Sequence, residues 1–408
     1  MSLGKVAVIG QGYVGLPLAI SAARVGWDVT GIDLSLEVVG ALNKGISHIE
    51  DVSDIELASM LESGNYRAAS TFDAVNESSI CIICVPTPIT ESSLPDLKYL
   101  ESAIREVAKR LPAGSLLISE STSFPGTVTE LIIPILQELR SDKGVDIDVV
   151  SAPERIDPRN EKFTLRNTPR IVGGITASGT KRGKDFYLTF CDFVYEVSSA
   201  SVAEFAKLLE NTFRQVNIAL INQLVPFANS IGVDIREVVA ASSTKPYGYM
   251  PFYPGAGVGG HCIPVDPIYL LWRAHKEGLD LPFISQADLV NSEMPKYVVK
   301  RLVEKIKPKS AGNVLILGVA YKSGLGDIRE TPAKAVAEQL ERVGFTPLWL
   351  DPMVKEFYGY KSYLSQDLVG AIVVTAQSDS PVADLAISGV QILDCTGAYK
   401  AVKGVEQL

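Results

Sequence analysis

The chain has 408 residues and a mass of 43.9 kDa, beyond the ~250–300 residues at which a single core stops growing, so two or three domains are expected. Its 47% hydrophobic and 21% charged content excludes a mainly disordered chain. A net charge of −9 with pI about 5.1 argues against general nucleic-acid binding, which needs a basic footprint. Five cysteines in so long a chain make no disulfide framework and suit a reducing cytosol. The N-terminus runs straight into strand-like sequence without a leader pattern, and no apolar run approaches the ~18 residues of a membrane span. A soluble, cytoplasmic protein that does not engage membrane is expected.

In chain order, strands are predicted at residues 5–9, 29–32, 80–85, 115–119 and 149–151, with a helix at 13–25. Short apolar runs without alternation, separated by helical segments, indicate a parallel sheet buried on both faces. Residues 201–231 then form one long helical pattern, with Val202, Phe205, Leu208, Leu209, Thr212 and Phe213 at spacings of three and four. A helix of ~30 residues spans about 45 Å, more than a small domain needs, so it joins domains or forms a dimer core. Pro226 is expected to kink it. A loop rich in glycine and proline follows at 245–267. Near Lys307-Pro308-Lys309 the opening pattern restarts: Val314-Leu315-Ile316-Leu317-Gly318 echoes Val6-Ala7-Val8-Ile9-Gly10, and Leu350-Asp351 echoes Ile32-Asp33. The expected fold is α/β, with two doubly wound Rossmann-like domains joined by a long central helix and a helical middle domain. The expected boundaries are 1–199, 200–306 and 307–408. The second copy lacks the glycine triplet, so it should hold a different ligand.

Gly10-Gln11-Gly12-Tyr13-Val14-Gly15 follows a strand and opens a helix, and Asp33 ends the next strand. Gly10 permits the tight turn, Gly12 lets backbone approach a pyrophosphate, and Gly15 lets helix pack on strand. Asp33 would bind ribose hydroxyls and repel a 2′-phosphate, which favours NAD. Tyr13 and Val14 complete the cofactor turn. The competing reading is a glycine-rich turn in an unrelated α/β protein.

The most specific segment is Gly255-Ala256-Gly257-Val258-Gly259-Gly260-His261-Cys262-Ile263-Pro264-Val265-Asp266-Pro267. Its glycines allow close backbone approach to a ligand. Cys262 precedes an expected helix near Pro267, where a thiol gains thiolate character and becomes a nucleophile. The alternative is a small buried residue. Asp266, one turn later, can orient the site or activate water. His261, adjacent to Cys262, suits a structural or substrate-contact role better than that of base. Cys81 and Cys84 sit three apart in a strand and face opposite sides, so no metal site is expected there. Lys207, Asn211 and Arg214 share one helix stripe, either a pocket wall or a solvated face. Glu154 and Arg155 end a strand, the usual place for ligand groups in an open α/β sheet. Lys322 and Arg329 would suit a diphosphate, with scattered surface charge as the alternative.

Together, GQGYVGLPLA, ALNKG, VPTP, ESTSFPGT, SAPERIDP, AEFAKLLENTFRQVNIALINQL, GVGGHCIPVDP and GVAYKSGLGDIRETP resemble the UDP-glucose/GDP-mannose dehydrogenase family across nearly the whole chain. The likeness is greatest to its branch acting on UDP-N-acetylhexosamines. The resemblance implies four-electron oxidation of C6 of a UDP-sugar to the uronate, with two NAD per turnover. UDP-N-acetylmannosamine is the first choice, with UDP-N-acetylglucosamine or UDP-glucose as alternatives. It implies that Cys262 attacks the C6 aldehyde, that Lys207 and Asn211 stabilise oxyanion charge, and that Asp266 activates water or tunes Lys207. Glu154 would lie near the thioester. Thr87, Glu120 and Thr122 would border the nicotinamide ribose. Arg155, Ile156, Arg214, Tyr253, Gly257 and His261 would meet the substrate, and Lys322 and Arg329 would hold UDP. A homodimer or larger homo-oligomer is expected.

There are departures. Gly255-Ala256-Gly257 replaces a pattern that often has proline or cysteine between the glycines, and Gly324 and Gly326 stand in a loop where an aspartate pair is common. The branch often carries an arginine, between the long helix and the cysteine loop, that reaches a neighbouring subunit; here Lys245 is the cation in that stretch. Two other classes compete: a single-step hydroxyacid or 6-phosphogluconate-type dehydrogenase, which needs no cysteine, and an NAD-sensing protein without turnover.

Overall fold

In both halves of the chain, short strands of Val, Ile and Leu lie side by side, each feeding a helix that returns over the sheet. The computed structural model describes residues 3–90, 92–140, 146–157, 159–160, 162–306, 312–377 and 380–408. The predicted linker Lys307-Pro308-Lys309 lies outside the described residues. Two compact units result, Met1–Glu210 with Ile268–Glu277, and Asn211–Pro267 with Gly278–Leu408.

The first unit holds β1 (Lys5–Ile9), β2 (Asp28–Ile32), β3 (Tyr66–Ala69), β4 (Ile80–Ile83), β5 (Leu116–Ser119), β6 (Asp148–Ser151), β7 (Arg170–Gly174) and β8 (Val194–Glu196). Their order is β3-β2-β1-β4-β5-β6-β7-β8. The first six are parallel in the doubly wound order, β7 runs antiparallel to β6, and β8 is parallel to β7. Val6 and Val8 pack on one face with Leu16 and Ile20, and Ala7 and Ile9 on the other with Ile104 and Val107. Helices on both faces are why these strands show no alternation. The expectation of parallel strands misses β3, β7 and β8. The short edge strands β3 and β8 carry exposed Arg67, Tyr195 and Glu196, and β7 begins with an arginine.

The second unit holds β9 (Asn313–Leu317), β10 (Thr346–Leu350), β11 (Lys361–Ser362), β12 (Leu368–Val373), β13 (Gln391–Asp394) and β14 (Val405–Gln407). Their order is β11-β10-β9-β12-β13-β14, parallel throughout. The repeat read from the sequence is therefore a repeat of topology. The fold is α/β, two doubly wound Rossmann-like sheets with a long helix between them in the chain.

That helix runs Ala200–Ser230, and it continues four residues past Pro226. Within the second unit its later part buries Ile221 and Val225 with Met294, Val298 and Leu302 of the helix Pro282–Lys305. Among the described residues no helix is long and apolar enough to cross a membrane.

Candidate active site

The glycine turn after β1 separates into two kinds of glycine. Gly10 has φ +88°, and a Cβ there would fall 2.5 Å from the Cys84 carbonyl oxygen; one at Gly15 would fall 1.8 Å from that of Gly10. Both are demanded by the protein's own packing. At Gly12 a Cβ would meet nothing within 4 Å, so that side of the turn has room for a ligand. No side chain caps the helix Gly15–Arg24; the Leu16 N–H bonds to the Gly12 carbonyl at 3.1 Å, and Pro17 has no N–H to offer. Tyr13 and Val14, half-buried, complete the turn. Asp33 braces it: Oδ2 accepts the Gln11 N–H at 2.9 Å and Oδ1 the Ser35 N–H at 2.9 Å. Each carboxylate oxygen keeps a lone pair for a ribose hydroxyl. This donor set fits a dinucleotide without a 2′-phosphate.

Thr87 and Thr122 follow β4 and β5 and are brought together, with the Thr87 Oγ1 donating to the Thr122 carbonyl at 2.6 Å. The Tyr269 hydroxyl donates to the Thr87 carbonyl at 3.0 Å. Glu120 behaves differently. Its side chain is 1% exposed and pairs with Arg170 and Tyr187 inside the unit, so only its backbone can border a cofactor. Burial pushes its carboxyl up to about 7 against the opposing charge of Arg170.

Glu154 follows β6. Its Oε1 accepts the N–H groups of Arg155 and Ile156 at 2.6 and 2.7 Å, and its Oε2 accepts Arg170 Nη1 at 2.5 Å. Burial alone would raise this carboxyl; the charge and hydrogen bond of Arg170, with Lys207 adding its charge, outweigh burial and hold it below the usual range. Arg155 grips Glu210 of the long helix at 3.0 and 2.6 Å and the Pro169 carbonyl at 2.7 Å. The Arg155 side chain is thus held within the protein, and the N–H groups of Arg155 and Ile156 are both spent on Glu154. Lys207 is 7% exposed, and among the described residues no carboxylate lies within salt-bridge distance of its ammonium. Three residues earlier, the Glu204 carboxylate accepts the N–H groups of Gly126 and Val128 at 2.6 and 3.0 Å, tying the loop after Thr122 to the long helix.

In the second unit, one turn along the helix from Lys207, Asn211 Nδ2 donates to Asp266 Oδ2, and Arg214 Nη2 donates to Asn211 Oδ1 at 2.8 Å. Asn211 and Asp266 are 4% and 1% exposed. The helix Asp266–Lys276 begins where expected, and the Asp266 N–H closes a turn onto the Cys262 carbonyl at 2.9 Å. Cys262 is half-buried. Two of the glycines before it are required by the protein's own packing. A Cβ at Gly259 would lie 2.8 Å from Pro332 and 2.9 Å from Tyr321, and one at Gly260 2.8 Å from the Tyr321 ring. They let the cysteine loop lie flat on its own unit. Gly257, with φ +134°, would meet the Asn291 carbonyl at 3.2 Å. The Gly255 N–H is held by buried Asn222 at 3.0 Å.

His261 Nδ1 lies 3.2 Å from Arg329 Nη2. A guanidinium only donates, so Nδ1 accepts and the ring proton sits on Nε2. Arg329 also forms a bidentate pair with Asp327, at 3.0 and 2.5 Å. A diphosphate would meet an arginine already paired, with Lys322 half-buried in the same loop. Tyr253 is half exposed. Sequence reading missed Arg170, Tyr187, Glu204, Tyr269 and Asn222. The one signal for Arg170 is a charge leading the buried run Ile171-Val172-Gly173-Gly174. Among the described residues no group of three His, Cys, Asp or Glu could hold a metal.

Two doubly wound sheets, a glycine cradle braced by an acid, and a cysteine loop following a polar helix stripe define a nucleotide-dependent dehydrogenase. Three domain descriptions of one family match in order: the NAD binding domain at residues 4–191, the central domain at 201–293 and the UDP binding domain at 315–390. The chain belongs to the UDP-glucose/GDP-mannose dehydrogenase family, and its cofactor is NAD. It is 38% identical to the UDP-N-acetyl-D-mannosamine dehydrogenase of Pyrococcus horikoshii, over 92% of this chain and 90% of that one. It is 33% identical to the UDP-N-acetyl-D-glucosamine 6-dehydrogenase of Pseudomonas aeruginosa, over 86% and 83%. Among solved structures, the UDP-D-ManNAc dehydrogenase of P. horikoshii superposes with TM-score 0.88 at 32% identity, covering 99% of this chain and 98% of that one.

Proposed function

We propose that this NAD-dependent oxidoreductase converts C6 of UDP-N-acetylmannosamine from alcohol to carboxylate. The observation that carries the reading is a buried ammonium, Lys207, whose charge bears on Glu154, one turn before an amide fixed by a buried carboxylate, Asn211 on Asp266. Such a pair of donors suits an oxygen that becomes negative during reaction. Bound NAD supplies the oxidising power for both steps, taking a hydride from C6 each time, two per turnover. The Cys262 sulfur adds to the aldehyde carbon, and Lys207 with the second Asn211 N–H takes the charge on oxygen. After the second oxidation the carbon is a thioester. Water, activated by Asp266, adds to it and releases the uronate and the thiol. Glu154 is a fixed anion facing Lys207. Arg155 and Ile156, with Arg214, Tyr253, Gly257 and His261, hold the sugar. Lys322 holds the diphosphate, with whatever donors Arg329 has beyond its pair with Asp327.

UDP-N-acetylglucosamine is the second reading, because a relative named for it is 33% identical. A panel of UDP-sugars assayed for NADH separates the readings. Two NADH per UDP-N-acetylmannosamine is the expected result. One NADH would indicate a single-step dehydrogenase, and none with any sugar a binding protein.

The same reading includes a homodimer in the cytoplasm. Val202, Phe205, Leu209, Phe213, Leu220, Leu224 and Phe227 follow one another at helical spacings along the long helix and are 37–60% exposed. At its start, a groove of about 480 Å³ is lined by Pro125, Ser201, Val202, Phe205, Ala206 and Leu209. A second copy of this helix would cover that stripe. Light scattering should give at least twice the 43.9 kDa of one chain; the monomer mass at micromolar concentration would contradict it.

A further inference from the structure

Behind Glu154 lies an ion cluster that no motif announces. Arg170, the first residue of β7, is 1% exposed. It donates to Glu154 through Nη1 at 2.5 Å, pairs with Glu120 through Nη2, and lies over the Tyr187 ring at 4.8 Å. The Tyr187 hydroxyl donates to the same Glu120 oxygen. Two carboxyls thus share one guanidinium in a setting sealed from water, where a net negative charge is costly.

The two carboxyls are unequally served. Glu154 receives three donors, two backbone N–H groups and Arg170. Glu120 meets Tyr187 and Arg170 through Oε1 alone, and among the described residues its buried Oε2 has no hydrogen-bond partner. An ionised carboxylate belongs where the donors are, so of the two it is Glu120 that is better neutral. The opposite directions of the two titrations agree: burial lifts Glu120 to about 7, whereas Arg170 reverses the effect of burial at Glu154. Arg170 with Glu154 is then a one-to-one ion pair, and Glu120 its neutral neighbour.

We propose that Arg170 is a positioning residue for the oxidation: it fixes Glu154 as an immobile, ionised carboxylate facing Lys207, while Glu120, the less well served of the two carboxyls, carries a proton. The inference rests on Glu154 being an active-site group. It assigns Glu154 a field rather than a proton transfer, because all its donors hold it in one place and in one charge state. The groups that bear on Glu154 are Arg170 from β7, Glu120 after β5, Lys207 from the long helix, Cys84 after β4, and Cys191; Tyr187 from the helix Ala177–Tyr187 bears on Arg170 and Glu120.

The test is the pH profile of kcat with the UDP-sugar and NAD saturating. Activity needs Glu154 ionised, so it is lost as pH falls through the carboxyl's titration. Arg170→Lys keeps a cation but loses the planar fork, so Glu154 should titrate higher. The acid limb should move up by about one pH unit, a tenfold loss on that limb that returns at higher pH. The double variant Arg170→Met with Glu120→Gln leaves Glu154 only its backbone donors and strands no carboxylate. It should move the limb further in the same direction, and it carries the test if Arg170→Lys does not fold. A limb that stays in place in the folded variants, whatever their thermal stability, reduces Arg170 to a structural role. Full turnover by Glu154→Gln would overturn both this proposal and the place of Glu154 in the site. An inactive Glu154→Gln with an unmoved limb overturns the proposal about Arg170 alone.

Discussion

Replacing Asn211 with alanine separates holding a carboxylate from stabilising a reaction. The amide has a forced orientation. Arg214 can only donate, so the atom opposite it is Oδ1, and the Asp266 carboxylate accepts, so the atom opposite that is Nδ2. One N–H of the amide goes to Asp266, and the other is the donor assigned to the oxyanion. Asn211→Ala removes both. Loss of a hydrogen bond to a buried charged group costs ~1.5–3 kcal/mol, and Asp266 is 1% exposed, so stability should fall by roughly 2 kcal/mol, read as a lower urea midpoint. Loss of an oxyanion donor costs ~10²–10³ in kcat. Because that bond strengthens only as charge develops, KM for the UDP-sugar should change little. Asn211→Asp is the companion. It keeps the size but sets a second carboxylate against Asp266, and like charges so close force one to hold a proton. If Asn211→Ala loses the expected stability while kcat stays within threefold, the amide only steadies Asp266, and the oxyanion argument is wrong.

Three further outcomes are expected. Asp33→Ala removes a ribose acceptor and the brace on the Gln11 N–H; KM for NAD should rise about tenfold or more, at ~1.5–3 kcal/mol for a charged hydrogen bond, while NADP gains ground. An unchanged NAD to NADP ratio counts against the reading of Asp33. Cys262→Ser, incubated with NAD and the UDP-sugar, should become heavier by one sugar nucleotide in mass spectrometry, since an ester leaves more slowly than a thioester; full uronate production by Cys262→Ala would remove the thiol from the reaction. Finally, burial pushes Glu120 and Glu204 up from 4.5 to about 7. The folded state then keeps protons that the unfolded chain releases, so this stabilisation is complete below pH 4.5 and is lost as pH rises through 7. At 1.36 kcal/mol per unit the limit is roughly 3 kcal/mol for each carboxyl. Urea midpoints should fall between pH 5.5 and 8, less so in Glu204→Gln; a rising midpoint would refute this.

The parts of this site legible in the sequence are those whose spacing is local. The turn from Gly10 to Gly15 needs only a strand, a helix and an acid ending the next strand. The stripe of Lys207 and Asn211 needs only a helical period. Arg170 was illegible for the opposite reason. Its place depends on β7 turning back antiparallel beside β6, with Ser151 opposite Gly173, and on Glu120 arriving from β5 fifty residues earlier. Likewise Gly259 and Gly260 read as clearance for a ligand, because their neighbours Tyr321 and Pro332 come from sixty or more residues away.

The repeat of the nucleotide fold shows how far such local reading reaches. Asp351 ends β10 as Asp33 ends β2, and each accepts an N–H from the turn beside it: Gln11 for Asp33, Val319 and Ala320 for Asp351. Both turns begin with a glycine of positive φ, +88° at Gly10 and +73° at Gly318, and at Gly318 a Cβ would fall 1.9 Å from the Thr375 carbonyl oxygen. The device is the same, but what is left over differs. Asp33 spends one bond on each oxygen and stays partly open to solvent. Asp351 is 5% exposed, and it also accepts the Gln377 amide at 3.0 Å and the Met353 N–H at 2.9 Å. Three of these four donors crowd Oδ2 and one meets Oδ1, so it is burial, more than a shortage of lone pairs, that sets this acid apart from Asp33. The second turn keeps the architecture of a dinucleotide site while its acid is buried, and beside it runs the longer loop from Tyr321 to Arg329. That loop is also the surface on which Gly259 and Gly260 rest. With Lys322 and Arg329 proposed to hold the diphosphate, nucleotide recognition and the seating of Cys262 would depend on the same nine residues, and a substitution at Tyr321 should disturb both.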